Sequence, residues 1–480
     1  MPIRVRRPDI EKWLLALVAG VPVSLWLFGF TVDDALISVR LAQNLANGSG
    51  YRFNTGGPVV DAVTPLGWAQ LLTLLNEPSP WGMLFSARLL GLLAWWVALV
   101  LLSRRMSTLG QSPRRWLPLL PLALSAPLGA WCSSGMETGV VTLLATIAVC
   151  EGKWALLAAG LAAAWRPELL GWAVLLGVGK GWGAAETGRI QRLGAALASV
   201  SAPFVLVAVV RVTVFGQAAP LSAIAKPTDL GQGVFYAAGA LLWTGFPWLL
   251  VSPTFRKLAP EFRIVGVAAL GHFACVGLVG GDWMALYRLV VPVLPSLVLV
   301  GAAVCEQSSW RGSISRLALA SVANAVLLVQ LGPVARKIVE QRTMLSEQAE
   351  PFLNAGGTVG TLDVGWVGAA AHGEIFDFAG VTDPEVARLC CGHHAKKIDR
   401  HLLERRGVTT LVLLLAPKAQ LASPWWQSHF DRFSENYVAH QLREQNWSVV
   451  AELPLRNTEQ HYVILRRADS AMVGVAGEQH

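Results

Sequence analysis

WLLALVAGVPVSLWLFGF, residues 13–30, runs directly into TVDDALISVRLAQNLANGSGYRF, residues 31–53, and this junction decides how the chain is organised. The first stretch is apolar and long enough to span a bilayer. The second opens on two adjacent carboxylates, Asp33 and Asp34, which would be costly to place in hydrocarbon. We therefore expect the pair at the membrane surface or in a polar cavity, and it is the first candidate functional site.

The composition is that of a polytopic membrane protein. Of 480 residues, 54% are apolar and 15% are charged, with 20 tryptophans, which is far from the balance of a soluble protein. The net charge of +8 comes from Lys and Arg in short links between apolar runs. No basic stripe alternates with aromatic residues, so we predict no nucleic-acid partner. The six cysteines are scattered and predict no disulfide framework.

Hydropathy predicts about eleven membrane spans. The first, Trp13 to Phe30, is expected to stay as a signal anchor, because no small-x-small cleavage site precedes Asp33. Several middle spans are short, so a re-entrant pair is an alternative to two of them. The other ten are predicted near residues 83–102, 116–132, 138–150, 154–166, 168–180, 193–212, 233–251, 264–280, 289–305 and 317–334.

Basic residues predict the orientation in the cytoplasmic (inner) membrane. Four of them precede the first span and would hold the N-terminus in the cytoplasm, which places Asp33 and Asp34 outside. With that start, every link rich in Lys and Arg falls inside. These residues are Arg4, Arg6, Arg7 and Lys12, then Arg104, Arg105, Arg114 and Arg115, then Lys180, Arg189 and Arg192, then Arg256, Lys257 and Arg263, and finally Arg311 and Arg316.

The chain is predicted to hold two domains. Residues 1–335 form an α-helical membrane domain, with a first outer loop at 31–80. Residues 336–480 are more charged, and their apolar runs have strand length, with a helical stretch at 383–407. This pattern predicts a soluble, extracytoplasmic α/β domain. The predicted strands lie in GTVGTLDVGW (357–366), TTLVLLLA (409–416), SVVAELPL (448–455) and HYVILRR (461–467).

Further charged residues recur at the predicted outer ends of separate spans. Each one alone is explained as the polar end of a helix, and Arg166 with Glu168 could be an ion pair capping a kink at Pro167. As a set they predict several acids and bases converging at one outer site. The set is Asp61, Glu137, Arg166, Glu168, Lys226, Asp282 and Arg288.

Two histidine features are interpreted without a metal. His272 lies in an apolar run and is expected to be a core residue. The segment with Cys390, Cys391, His393, His394 and His401 offers zinc-type ligands, but adjacent side chains cannot easily point at one ion. We therefore predict no metal site there. A phosphate-binding P-loop, a dinucleotide fingerprint and a GxSxG elbow are all missing from the sequence.

Six segments, in order, resemble the C-type glycosyltransferases of membranes, and within them the bacterial branch of terminal arabinofuranosyltransferases. The resemblance covers some 360 residues, and its strength lies in the order of the segments. They are TVDDALISVRLAQNLANGSGYRFN (31–54), SGMET (134–138), WRPE (165–168), FGQAAPLSAIAK (215–226), GGDWMALYRLVVPVLP (280–295) and LDVGWVGAAAHGEIFDFAGVTDPEVAR (362–388).

The resemblance implies an enzyme that takes a sugar, a pentose such as arabinofuranose or a hexose, from a polyprenyl-phosphate carrier. The acceptor would be a hydroxyl of a glycan, a lipid-linked molecule or a protein on the outer face, attacked with inversion. Asp33 or Asp34 would be the general base. Arg288 and Lys226, and more weakly Arg40, would bind the leaving phosphate. A divalent cation, Mg²⁺ or Mn²⁺, is compatible with the paired carboxylates without being required.

Two rival functions fit the composition. A transporter or flippase of lipid-linked sugars would place polar residues near the middle of the membrane and on both faces. A non-catalytic membrane protein of envelope assembly would need no acidic pair. The polar motifs gather at one predicted face, which favours catalysis.

Overall fold

The computed structural model describes residues 7–182, 188–456 and 458–468. Arg4 and Arg6 lie outside these residues. Within them the helices are α1 (Arg7–Trp26), α2 (Asp33–Ala46), α3 (Trp68–Thr73), α4 (Pro80–Ser107), α5 (Leu119–Ala123), α6 (Ala126–Cys132), α7 (Thr138–Cys150), α8 (Ala155–Trp165), α9 (Leu170–Trp182), α10 (Arg189–Phe215), α11 (Leu221–Ala225), α12 (Leu230–Trp243), α13 (Pro260–Leu278), α14 (Leu294–Gln307), α15 (Trp310–Ala335), α16 (Ile338–Leu353), α17 (Val364–Ala370), α18 (Pro384–Ala387), α19 (Arg400–Arg405) and α20 (Phe433–Gln441). The strands are β1 (Thr358–Thr361), β2 (Ile375–Asp377), β3 (Val408–Leu414), β4 (Trp447–Pro454) and β5 (His461–Arg467).

Internal contacts divide the chain into two compact units. Unit 1 comprises Met1–Thr31, Ser86–Val210 and Thr228–Lys337. Unit 2 comprises Val32–Phe85, Arg211–Pro227 and Ile338–His480. The C-terminal segment therefore shares a unit with the first predicted outer loop and with the segment that carries Lys226.

Five helical segments in the described part of the chain are long and apolar enough to cross a membrane. They are Pro80–Ser107, Arg189–Phe215, Pro260–Leu278, Ala285–Gln307 and Trp310–Leu353. Four shorter apolar helices are Trp13–Trp26, Thr138–Cys150, Ala155–Trp165 and Leu230–Trp243. The predicted count of eleven spans is not confirmed.

Prolines account for the clearest difference from the predicted spans. The apolar run at 116–132 was expected to form one helix, but it is divided into α5 and α6. Pro118, Pro121 and Pro127 lie at the starts of these short helices or inside them. A proline donates no backbone hydrogen bond and clashes with the preceding turn, so hydropathy alone overestimates helix length here.

Close packing in unit 1 depends on small residues. A methyl group added at Gly139 of α7 would overlap the backbone of Gly91 in α4, so the two helices meet at backbone contact. Helix α14 is the most enclosed: every residue from Leu294 to Cys305 is buried. Unit 1 is therefore a helical assembly built around α14.

Unit 2 contains a five-stranded mixed sheet with the order β2-β1-β3-β5-β4. Strand β1 is parallel to β2 and β3, whereas β5 is antiparallel to β3 and β4. Trp366, Phe378 and Tyr462 are among the largest fully buried side chains of this unit. The four predicted strand regions overlap β1, β3, β4 and β5, and β2 was not predicted.

Two predicted elements differ in the structure. The stretch 357–366 is a strand only at β1, because α17 begins at Val364. The stretch 383–407 is not one helix but two short ones, α18 and α19. Between them Cys391 adopts φ = 77°, and the buried Lys396 donates to the carbonyls of Ala387 and Leu389 at 3.1 and 2.7 Å. These bonds to carbonyls near the end of α18 stabilise an irregular connection.

Candidate functional site

The Asp33 carboxylate binds the start of another helix. Its oxygens accept hydrogen bonds from the backbone N–H groups of Gly365 and Trp366, at 2.7 and 2.8 Å. Asp33 lies in the first turn of α2, and the two N–H groups lie in the first turn of α17. A carboxylate is favoured there because the N-terminal amides of a helix lack partners within the helix and carry partial positive charge. Asp33 therefore joins α2 to α17.

Glycines of α17 permit this close approach. A methyl group at Gly365 would overlap the backbone carbonyl of Asp33. One turn later, a methyl group at Gly368 would lie 3.3 Å from the Cδ atom of Arg40. The spacing Gly-x-x-Gly in the segment 364–370 thus gives α17 a smooth face against α2.

Arg40 binds the other end of α17. Its Nη1 donates to the carbonyls of Gly368 and Ala371 at 2.6 and 3.0 Å, and its Nη2 donates to Gly373 at 2.7 Å. Its Nε donates to the Phe53 carbonyl at 3.0 Å. Four of the five N–H groups of a guanidinium are then engaged by backbone oxygens. This geometry makes Arg40 a C-terminal cap of α17, and its phosphate-binding role stays a prediction.

Asp363, the residue before α17, is the centre of a partly buried ionic network. Its Oδ2 accepts from Arg432 at 2.7 Å and from the Tyr462 hydroxyl at 2.8 Å. Arg342 donates to the Tyr462 oxygen at 3.0 Å, and Arg432 also pairs with Glu435 at 2.5 Å. Burial alone would raise the pKa of Asp363, but the charges of Arg432 and Arg342 lower it to about 2. Asp363 is therefore ionised at neutral pH.

The pKa values of Asp33 and Asp363 are shifted in opposite directions. Burial, followed by repulsion from Asp363, raises the pKa of Asp33 from 3.8 to about 7. The Gly365 and Trp366 amides lower it only in part. Asp33 thus changes charge close to neutral pH, while Asp363 keeps its charge.

This titration predicts a pH-dependent stability. From pH 3.8 to about 7, the folded state holds a proton on Asp33 that the unfolded chain has released, so the contribution to stability falls as pH rises through this window. Relative to the Asp33→Asn variant, the free energy of unfolding of the wild type should fall by up to about 1.4 kcal/mol per pH unit. Melting temperatures of both proteins in detergent, measured across the window, test this. Parallel curves would contradict the assignment.

The charges of Asp34 and Lys226 both act on one imidazole, that of His394. Asp34 follows Asp33 in the first turn of α2, and Lys226 follows α11 directly. Both charges act on His394. Burial, followed by the charge of Arg432, lowers the pKa of His394 to about 4, so this imidazole is neutral at pH 7. In unit 2, a carboxylate and an ammonium group are therefore both within electrostatic range of His394.

Asp61 is part of the structure that carries Lys226. Its Oδ2 accepts from Arg211 Nε at 2.7 Å, and both side chains are buried. Arg211 also donates to the Thr64 carbonyl. The backbone oxygen of Asp61 accepts from Leu221 N at 3.2 Å, at the start of α11. The Asp61–Arg211 pair thus ties the loop around residue 61 to α11 and makes Asp61 a positioning residue.

Unit 1 gathers the remaining predicted residues in a second cluster. Arg166 lies 2.5 Å from Glu137 and 3.6 Å from Glu168. Glu137 is fully buried, so its charge is stabilised by this pair. Glu168, Asp282 and Arg288 all lie within electrostatic range of the Tyr236 hydroxyl.

Arg288 is held from two sides within the second cluster. Its Nη2 lies 2.7 Å from Asp282 Oδ2, and its guanidinium lies 5.5 Å from the centre of the Trp131 ring. The two residues before it, Leu286 and Tyr287, adopt φ = 61° and 51°. Left-handed backbone is strained in such residues and persists where surrounding contacts over-determine it, often at functional sites. The contacts with Asp282 and Trp131 therefore fix the position of the Arg288 guanidinium.

His272 lies beside this backbone. It is fully buried, and its Nε2 lies 2.8 Å from the carbonyl oxygen of Leu289. This matches a core histidine with a satisfied ring nitrogen. The Tyr236 hydroxyl accepts from Leu289 N at 3.1 Å, so both rings fix the segment that follows Arg288.

One solved structure decides the fold. The crystal structure of ArnT from Cupriavidus metallidurans in the apo state matches 96% of this chain and 98% of its own, with a TM-score of 0.56 and 12% sequence identity. The chain has the fold of ArnT. At this identity the likeness shows the fold alone, and the predicted arabinofuranosyltransferase branch is not confirmed. No protein-family model and no curated protein sequence matches the chain.

The ArnT-like fold and the apolar helices indicate a multi-pass membrane protein. Its orientation, with the N-terminus in the cytoplasm and the site outside, stays a prediction. The roles assigned to the site residues stay predictions as well.

The donor set does not favour a metal beside the acidic pair. Among the described residues, no three of His, Cys, Asp or Glu are grouped so as to hold an ion. Both oxygens of Asp33 already accept backbone N–H groups. A Mg²⁺ or Mn²⁺ ion beside Asp33 and Asp34 stays a prediction.

Proposed function

We propose that this chain is a membrane glycosyltransferase that moves a sugar from a polyprenyl-phosphate carrier to an acceptor hydroxyl on the outer face of the cytoplasmic membrane. The observation that carries the proposal is the likeness of the fold to ArnT, and the charges of Asp34 and Lys226, which both act on His394 in unit 2, support the residue roles proposed below. ArnT, whose fold the chain shares, is a membrane glycosyltransferase that uses a lipid-linked sugar. Such a transfer needs a carboxylate that accepts the proton of the acceptor hydroxyl and a cation that stabilises the leaving phosphate.

Asp34 is the general base in this proposal. Asp33 directs both of its oxygens to α17, so it positions the helix instead of meeting substrate. Asp34 is its direct neighbour on α2 and is partly exposed. As the acceptor oxygen attacks the anomeric carbon, its proton passes to the Asp34 carboxylate. A carboxylate can do this when it lies within about 3 Å of the hydroxyl.

Lys226 stabilises the leaving group. The bond between the anomeric carbon and the phosphate oxygen breaks as the new carbon–oxygen bond forms, and its electron pair stays on the polyprenyl phosphate. A cation near that oxygen offsets the developing negative charge. Arg288, held by Asp282 and Trp131 in unit 1, stays a predicted ligand of the donor phosphate. A single displacement of this kind inverts the anomeric configuration.

The proposed donor is a polyprenyl-phosphate pentose such as arabinofuranose, or a hexose, and the acceptor is a glycan, a lipid-linked molecule or a protein. The six segments that resemble the arabinofuranosyltransferase branch favour a pentose. A lipid carrier suits a site at the membrane surface, because its tail stays in hydrocarbon while the phosphate reaches headgroup level.

A donor panel tests the proposal. Purified wild type in detergent is mixed with labelled polyprenyl-phosphate pentoses and hexoses and with a crude envelope extract as acceptor source. We expect one donor class to lose its label to an acceptor, with release of polyprenyl phosphate. EDTA in a parallel reaction tests the metal. Failure of every donor would favour a transporter or an assembly protein, especially if the protein moved lipid-linked sugars across vesicles.

A further inference from the structure

Two adjoining cavities lie in unit 1, far along the chain from the acidic pair. The first has a volume of about 440 Å³ and the second about 520 Å³. They share Gly179 of α9 and Pro260 and Ile264 of α13 in their linings. Both therefore follow the line along which α9 meets α13.

The walls of these cavities are largely apolar. A methyl group at Gly179 would overlap the Ile264 side chain, so the two helices touch there and leave space on either side. Leu176, Val265 and Leu299 line the first cavity, and Leu175, Val178 and Val267 line the second. The last three are exposed. Exposed aliphatic side chains on apolar helices suit contact with an acyl chain.

The rims carry an excess of positive charge. Arg105 and Lys180 line the first cavity, and Arg256 and Arg263 line the second, whereas the acids are Glu151 and Glu261. Four cations against two acids leave two positive charges in excess. Glu261 is paired with Arg105 at 2.9 Å.

Two of the rim cations are available at the surface. Arg256 and Arg263 are exposed and form no ion pair within the described ranges 7–182, 188–456 and 458–468. The 19-residue helix α13 begins at Pro260, between them. Its N-terminal dipole adds to the attraction for an anion.

We propose that these cavities bind one acidic phospholipid, with its phosphate at the basic rim and its acyl chains along α9 and α13. A soluble anion would leave the aliphatic walls without a partner, and a neutral lipid would leave the arginines without one. The basic residues of this rim belong to the links predicted to face the cytoplasm. The site would therefore take its lipid from the cytoplasmic leaflet, where anionic headgroups attract Lys and Arg.

Native mass spectrometry of the full chain, released from nanodiscs of equal parts phosphatidylglycerol and phosphatidylcholine, tests the proposal. We expect one retained phosphatidylglycerol per chain. The double variant Arg256→Gln with Arg263→Gln should bind it about tenfold more weakly. A matched control, Lys257→Gln with Arg311→Gln, removes the same charge from exposed residues that do not line the cavities. It should stay within about twofold of wild type.

Several results would overturn the proposal. Equal losses of phosphatidylglycerol binding in the two double variants would show that the lipid is attracted by surface charge in general and not by the cavities. Equal retention of phosphatidylcholine would remove the role of the phosphate charge. Displacement of phosphatidylglycerol by polyprenyl phosphate at equal mole fraction would assign the cavities to the carrier lipid, and displacement by inorganic phosphate at constant ionic strength would reduce them to an ion site. None of these readouts depends on sugar transfer.

Discussion

Asp34→Asn is expected to lower kcat for sugar transfer by about a thousandfold, within the range seen when a general base is removed. The amide has nearly the same shape as the carboxylate but cannot accept the proton of the acceptor hydroxyl. The KM for the lipid donor should change little, because the base acts on the acceptor. Initial rates with labelled donor, measured in purified protein, give both constants.

Two further variants separate the base from its neighbour. Asp33→Asn places an amide N–H against one of the α17 N–H groups, so it should lower the melting temperature as well as the rate. Asp431→Asn changes an exposed carboxylate that is not part of α2 and should leave both unchanged. If Asp34→Asn keeps wild-type kcat while Asp33→Asn loses it without a change in melting temperature, the two roles are reversed.

Gly365→Ala is expected to destabilise the folded protein by about 3 kcal/mol, the upper part of the range for forcing extra volume into a packed contact. The added methyl group would overlap the Asp33 carbonyl oxygen and lie 2.7 Å from the Asp33 Cγ. The carbonyl oxygen belongs to the backbone of α2, and the Cγ is held by the hydrogen bonds of the carboxylate to Gly365 and Trp366. A side-chain rotation therefore cannot relieve the overlap with the carbonyl oxygen. The melting temperature in detergent and the transfer rate should fall together.

Gly194→Ala provides the matched control. Gly194 lies in α10, and a methyl group there would meet no atom within 4 Å. Alanine favours a helix over glycine by up to about 1 kcal/mol, so this variant should melt at the wild-type temperature or slightly above. Equal melting temperatures for Gly365→Ala and wild type would show that α2 and α17 are not in the contact described.

Long apolar runs were the most predictable part of the fold. The spans expected at 83–102 and 193–212 lie inside α4 and α10, and the span expected at 264–280 extends two residues beyond the end of α13. Hydropathy succeeds there because a spanning helix must satisfy its own backbone and face lipid along its whole length. It was less accurate at 116–132, where prolines divide the run into α5 and α6. The single helix predicted at 383–407 is replaced by α18 and α19 with an irregular connection between them.

The candidate site was predictable by residue type more than by role. Asp33, Asp34 and Lys226 were selected from the sequence because charged side chains beside or between apolar runs are costly to place in hydrocarbon. Arg211 was missed although it lies at the end of the run 193–212, where a cation requires a partner such as Asp61. The network of Asp363 could not be predicted, since its partners come from distant positions with no local pattern.

The hydrogen bonds from Gly365 and Trp366 to Asp33 have a consequence for biosynthesis. The donor and acceptor are 332 and 333 positions apart in the chain. A polypeptide still on the ribosome therefore carries its acidic pair long before α17 exists to fix it. Transferase competence should arise late, once the final quarter of the protein has been translated, and polypeptides released earlier should be inert.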